Sequence, residues 1–141
     1  MAEIRVMKKS DLHQANMIIA RAFSQARSDC GYSHTHVPMC RREFIDFYYS
    51  HSPRGCFIAE DAGQIKGVIF SHIWGKTGWI GPLAVAPEKH LMGIGKALMN
   101  KGTDYLIHAG CSTIGLETNP RNSRNLGFYG HLGFLPSVLS I

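Results

Sequence analysis

Apolar and polar residues change period several times along this chain, and each change predicts an element. Ile4 and Val6 alternate with Glu3 and Arg5, the two-residue period of a half-buried strand. From Asp11 to about Arg27 the period becomes helical. Leu12, Ala15, Ile19, Ala22, Phe23 and Ala26 share one face, and Ser10 stands where an N-cap belongs. Residues 28–38 read as a polar loop. A second helix is predicted from near Pro38 to near Ser50, burying Phe44, Phe47 and Tyr48. Gly55–Glu60, the turn Asp61-Ala62-Gly63 and Gln64–Trp74 read as a hairpin. Thr77–Val85 is a further strand, with Gly81-Pro82 marking a bulge. A long helix is predicted from Gly93 to Ala109 and ended by Gly110. Ser112–Glu117 is a strand, Arg121–Leu132 a short helix closed by Gly133, and Phe134–Ile141 a last strand. The order is βααβββαβαβ, an α/β (α+β) mixture on a mostly antiparallel sheet.

Composition narrows the class. The length of 141 residues fits one domain over 1–141, with 45% hydrophobic and 18% charged residues as in ordinary globular proteins. No apolar run approaches the ~20 residues of a membrane span, so no membrane partner is expected. Glu3, Arg5, Lys8 and Lys9 precede any apolar run, unlike a signal peptide. The 4 cysteines form no CxxC pair and read as reduced thiols of a cytoplasmic protein. The formal net charge of +5 suits an anionic ligand and weighs against a polycationic substrate. Nucleic acid is anionic too, but the chain has neither a basic and aromatic stripe nor a zinc-finger spacing, so no nucleic-acid partner is expected.

The candidate chemistry starts at Gly81–Met99. An apolar strand segment (Leu83, Ala84, Val85) turns at Pro87 and reaches Gly93-Ile94-Gly95, where a helix starts at once with Lys96. Free N–H groups of a first helical turn point at one spot, and the helix dipole adds partial positive charge there. Glycines let a phosphate approach without a Cβ in the way. The turn therefore predicts a phosphorylated cofactor; the competing reading, a tight turn entering a helix, stays open on those three residues. A Walker-type GxxxxGK[ST] loop is absent, and no third glycine stands at the dinucleotide-fold spacing.

Element order and two motifs together resemble the GNAT superfamily of acyl-CoA N-acyltransferases, over nearly the whole chain. The family's cofactor signature runs Arg or Gln, two residues, Gly, any residue, Gly or Ala. Here it reads His90-Leu91-Met92-Gly93-Ile94-Gly95. Its second signature is an Asn, then Phe-Tyr, then Gly-Phe, matched by Asn122, Phe128-Tyr129 and Gly133-Phe134. The resemblance implies acetyl-CoA (coenzyme A) as acyl donor and no metal. It implies that Leu83, Ala84 and Val85 lie where two strands splay and pair with the pantetheine arm like an added strand. One amide there would polarise the thioester carbonyl. Amides from Leu91 through Lys96 would hold the pyrophosphate. Asn122 and Tyr129 would contact the cofactor, and Tyr129 would protonate the leaving thiolate. Its phenol, with a reference pKa near ~10, keeps its proton at neutral pH. As read from the residues alone, Tyr129 could equally be a packing residue.

Three departures stand out. His90 replaces the leading Arg or Gln and forms no bidentate fork. Trp79 stands where some members carry a glutamate base. The chain stops at Ile141, where most members continue into another strand; the expectation is a sheet completed by a partner chain in a homodimer, or a longer polypeptide. Glu117 and His72 are candidate general bases, each with a structural alternative: an exposed carboxylate paired to Arg121 or Arg124, and a half-buried strand histidine. Arg41-Arg42 reads as a solvated helix face, and Arg121 and Arg124 as cations for the cofactor's phosphates. Cys30, His34, His36 and Cys40 are metal-ligand types at an unfamiliar spacing; Tyr32, His34 and His36 read rather as residues that shape the acceptor side. The function expected is acetyl transfer from acetyl-CoA to a primary amine of a small molecule or peptide. A non-catalytic acyl-CoA-binding module is the alternative.

Overall fold

The computed structural model describes residues 2–88, 93–119 and 121–137. Strand β1 (Glu3–Val6) is followed by helices α1 (Leu12–Asp29) and α2 (Arg42–His51). Then come strands β2 (Phe57–Asp61), β3 (Gln64–Trp74) and β4 (Thr77–Val85), helix α3 (Ile94–His108), strand β5 (Thr113–Leu116) and helix α4 (Ser123–His131). The five strands form one sheet in the order β1-β2-β3-β4-β5. All neighbours are antiparallel except β4 and β5, which run parallel. The β2–β3 hairpin turns through Ala62 and Gly63, both at positive φ (52° and 77°).

Strand alternation divides the core in two. Val68 and Phe70 face α1 and α2 and pack with Leu12, Ala15, Ile19, Ile45 and Ile58. Ile69 faces the opposite way and packs with Leu98, Met99 and Leu106 of α3. Gly67 and Gly78 let α3 lie close on the sheet. A Cβ on Gly67 would stand 2.9 Å from both Ile94 Cγ2 and Leu98 Cδ1, and one on Gly78 2.8 Å from Leu106 Cδ1. This seating brings the α3 N-terminus beside the end of β4.

Four expectations change. Ser10 does not cap α1; it lies in a 3-10 turn, Lys9–Asp11, and Asp11 is the N-cap residue. The Asp11 carboxylate is held by Arg5 at 2.8 and 3.0 Å and by the Lys8 N–H at 2.7 Å, which fixes the entry to the helix. Helix α2 buries Ile45, while Phe44 and Phe47 are each 56% exposed. Ile45, Tyr48, Tyr49 and Ser52 form one helical stripe and Phe44, Phe47 and His51 its neighbour; the first faces the sheet. Phe23, expected in the core, is 38% exposed, because it faces the cleft beside β4. The last strand expected at Phe134–Ile141 is not formed by Phe134–Ser137. Pro136 has no N–H to give a ladder, and Val138–Ile141 lie outside the described residues.

Candidate active site

Strands β4 and β5 pair through Thr77↔Thr113, Gly78↔Ile114, Trp79↔Gly115 and Ile80↔Leu116, and there the pairing stops. β4 continues to Val85 along β3. The divergence coincides with a bulge: Ile69 opposes Leu83 while Ser71 opposes Ile80, so Gly81-Pro82, a cis peptide, sets two residues against Phe70 alone. The extra residue shifts the alternation, so Ile80 and Leu83 both pack on the α3 side and Ala84 on the α1 side. The backbone alternates as well. The Ala86 N–H bonds to the Lys66 carbonyl at 2.8 Å, so Ala84, two residues earlier, also turns its backbone groups to β3. Leu83 and Val85 therefore direct N–H and C=O into the gap between the strands. Of the three residues expected there, Ala84 has its backbone groups spent within the sheet.

His72 holds this bulge. Its Nε2 donates to the Gly81 carbonyl at 2.6 Å, since a carbonyl only accepts. That leaves Nδ1 as the lone-pair nitrogen, buried without a hydrogen-bond partner among the described residues. The ring stacks parallel to Trp74 at 5.7 Å and lies against Tyr48 and His51. Burial pushes its pKa below the ordinary histidine value, and His51 adds to this against the Gly81 hydrogen bond. At 3% exposure it cannot meet an acceptor amine, so the general-base role expected for it is withdrawn.

Past β4, Gly93 is the N-cap of α3, with φ 87°. That left-handed backbone belongs to glycine. Among the described residues no side chain caps the helix, and the Ala97 N–H closes on the Gly93 C=O at 3.0 Å. The N–H groups of Ile94, Gly95 and Lys96 have no acceptor among the described residues at the helix start. Gly95 lies between Val85 and Phe128: a Cβ would stand 3.7 Å from Val85 Cγ2 and 3.5 Å from Phe128 Cζ. The end of β4, the start of α3 and α4 thus meet at one glycine. His90, Leu91 and Met92 lie outside the described residues.

Helix α4 begins at Asn122, whose side-chain oxygen accepts the Asn125 N–H at 3.0 Å. It ends in a Schellman turn. Phe134 N–H bonds Tyr129 C=O, and Gly133 N–H bonds Gly130 C=O, with Gly133 at φ 95°. The turn brings Phe134 back onto the Tyr129 ring at 6.2 Å, edge to face, while Phe128 packs at 5.1 Å. The Phe-Tyr and Gly-Phe pairs of the second motif are therefore one packing unit around Tyr129. Burial raises the Tyr129 pKa above the ordinary phenol value. No hydrogen bond reaches its hydroxyl from the described residues.

These parts border a cleft of about 510 Å³, lined among others by Ile80, Gly81, Pro82 and Leu83 of β4, Leu116 and Glu117 at the end of β5, and Asn122, Asn125 and Tyr129 of α4. Its other wall is the end of α1 and the following loop, with Phe23, Ala26, Arg27, Cys30, Tyr32 and Val37. Glu117 is exposed and has no ion-pair partner among the described residues. Arg121, expected near phosphates or Glu117, instead donates to the Cys30 carbonyl at 3.0 Å and lies 4.1 Å over the Tyr32 ring. Arg124 is exposed and makes no such contact. Cys30, His34, His36 and Cys40 do not converge: among the described residues no three ligand-type side chains form a metal-holding group. The Cys40 backbone is engaged both ways by the Asn16 amide. Trp79 packs on the β5 backbone; a Cβ on Gly115 would stand 2.6 Å from its Cζ3.

The bridges from Tyr32 and Cys30 to Asn119 and Arg121, and the bond from His72 to Gly81, carry no sequence signature. The Tyr32–Asn119 partners stand 87 positions apart, and only the fold brings them together.

The chain is 31% identical over 88 residues to mycothiol acetyltransferase of Acidimicrobium ferrooxidans, covering 59% of this chain and 28% of that protein. It is 32% identical over 92 residues to N-alpha-acetyltransferase 30 of Dictyostelium discoideum, covering 62% and 50%. It thus spans half or less of the length of these two curated relatives. Its fold is that of the PaiA N-acetyltransferase of Thermoplasma acidophilum, crystallised with coenzyme A. The TM-score is 0.75 at 16% identity, over 99% of this chain and 93% of that one. Residues 18–134, most of the chain, match the acetyltransferase (GNAT) family by sequence, and by that match the chain belongs to it.

Proposed function

We propose that the protein transfers an acetyl group from acetyl-CoA to a primary amine, by direct attack within the β4–β5 cleft. What supports this reading is three groups without partners among the described residues, on elements that meet where Gly95 lies between Val85 and Phe128. These are the amides at the start of α3, the outward backbone of Leu83 and Val85, and the Tyr129 hydroxyl, which borders the cleft. The first suits a pyrophosphate, and His90, Leu91 and Met92, next to it in sequence, are proposed to contribute to the same binding. The second suits the amide groups of a pantetheine arm laid down as a strand. The third suits the sulfur that must leave. Asn122 keeps its amide NH₂ as a donor on the same wall.

In this mechanism the amine nitrogen bonds to the thioester carbonyl carbon as the carbon–sulfur bond breaks. The Leu83 or Val85 N–H stabilises the developing charge on oxygen. Tyr129 gives its proton to the leaving thiolate. Its raised pKa keeps it protonated at neutral pH. Glu117, at the open end of β5, takes the proton of the amine directly or through one water. A second reading, an acyl-CoA-binding module without catalysis, draws support from Trp79, which fills with an indole the place of a strand carboxylate. Four unpaired cysteines support a reducing, cytoplasmic setting. The outer edge of β5, unpaired among the described residues, supports a homodimer.

The test is Tyr129→Phe. It removes one hydroxyl and leaves the ring packed between Phe128 and Phe134. The expected outcome is a fall in kcat of about a hundredfold or more, with CoA affinity by calorimetry close to wild type. Wild-type kcat in the variant would make Tyr129 a packing residue.

A further inference from the structure

Two arginines, of which Arg27 lines the cleft, share one aromatic ring and have no counter-charge among the described residues. The Arg27 guanidinium lies 4.2 Å from the Tyr32 ring centroid and that of Arg121 4.1 Å, so the two cations stand within about 8 Å of each other, a distance salt only partly screens. Each spends one N–H on a backbone carbonyl: Arg27 Nε on His34 at 2.7 Å, Arg121 Nη2 on Cys30 at 3.0 Å. Their other N–H groups have no partner among the described residues. Arg5, Arg21, Arg41 and Arg42 each lie against a carboxylate, while Arg54 and Arg124, like this pair, do not among the described residues; the shared ring is what sets the pair apart. Asn119 donates to the Tyr32 hydroxyl at 2.6 Å, so the ring is fixed across the gap between the α1 loop and the β5–α4 turn.

The position of this pair sets its use. Arg27 lines the cleft on the α1 wall, opposite the helix-start amides and Tyr129, which belong to the α3 side. It is therefore the mouth left for the second substrate once the acyl donor occupies the other. Glu117 is the carboxylate among the cleft-lining residues. Two unpaired forks and one acid define a pattern: an anion held at the rim, an amine further in.

Resting on the transferase reading above, we propose that the acceptor is an amine that carries a carboxylate within a few bonds of its nitrogen. Guanidinium forks match a carboxylate by paired hydrogen bonds as well as by charge. A bound carboxylate would also relieve the repulsion between the two arginines. A basic acceptor would bring a third cation to the same rim.

The wild-type protein is tested with acetyl-CoA and three peptides that differ only in a first residue of glutamate, glutamine or lysine, plus free glutamate as amino acid. Release of free thiol is followed at low salt and at 0.5 M salt. The expected result is kcat/KM about tenfold or more higher for the acidic peptide than for the lysine peptide at low salt, and a smaller ratio at high salt. Activity on free glutamate but not on the peptides would support the class and assign it to an amino acid. In the double variant Arg27→Gln/Arg121→Gln, with CoA binding as a check on folding, the acidic-over-glutamine ratio should collapse towards one. Equal use of the three peptides, or preference for lysine, overturns the inference while the transferase reading stands. Acetylation of none of these acceptors overturns the inference, and acetylation of no amine in a wider panel overturns the transferase reading as well.

Discussion

His72 shows how one side chain can set the geometry of a site it does not enter. Its single hydrogen bond goes to the carbonyl of Gly81, at the bulge where β4 leaves β5. The ring is neutral because burial disfavours its charge. The sign of the linkage follows. The folded pKa lies below the unfolded value of ~6.5, so the unfolded chain binds the proton first. The stability that neutral His72 contributes is present above that value. It is lost as pH falls from ~6.5 through the folded pKa. Denaturant unfolding at stepped pH should show this decline in the wild type, and His72→Gln should flatten it while keeping an N–H donor for Gly81. An unchanged slope in the variant would assign the decline to other groups. Tyr129 was legible as a residue of interest from its Phe-Tyr context. His72 was legible only as a histidine on a strand, because its partner is a backbone carbonyl that a sequence pattern does not mark.

Elements were legible where period and punctuation agree. The hairpin, the bulge at Gly81-Pro82, the start of α3 after Gly93 and its end before Gly110 were all readable from sequence, since glycine and proline mark them by backbone chemistry. Helix α2 was readable as a helix but not in rotation. Two adjacent apolar stripes have the same period, and only packing against β3 selects Ile45 over Phe44 and Phe47. The expected cap at Ser10 failed because the neighbouring Asp11 carboxylate is tied to Arg5. The prediction that belongs to this scale concerns the α3 start. Gly93→Val imposes a β-branched residue on a left-handed backbone. Gly95→Val puts two methyls beyond a Cβ already 3.5 Å from Phe128. Each should weaken CoA binding about tenfold or more, since the open amides lose their alignment. Calorimetry on variants with wild-type circular dichroism reads this directly. Unchanged affinity in both would move the phosphate site elsewhere.

The whole molecule is a sheet opened between two of its strands, with helices on both faces that give the opening two unlike walls. One wall carries Leu83 and Tyr129, the other Arg27 and Tyr32. Among the described residues no helix is long and apolar enough to cross a membrane. The family was readable from sequence because short local motifs carry it. The cleft wall at Cys30 and Tyr32 was not, because it is assembled from residues about 90 positions apart, such as Cys30 and Arg121. The central claim is transfer, not binding alone. It is tested most directly by incubating the protein with acetyl-CoA and a panel of amines, and following both free thiol and the acetylated amine by mass spectrometry. Acetyl transfer at the cleft predicts the two products in equal amounts with at least one amine, and loss of both in Tyr129→Phe. Saturable binding of acetyl-CoA with no acetylated amine from any member of the panel would contradict it and leave a binding module.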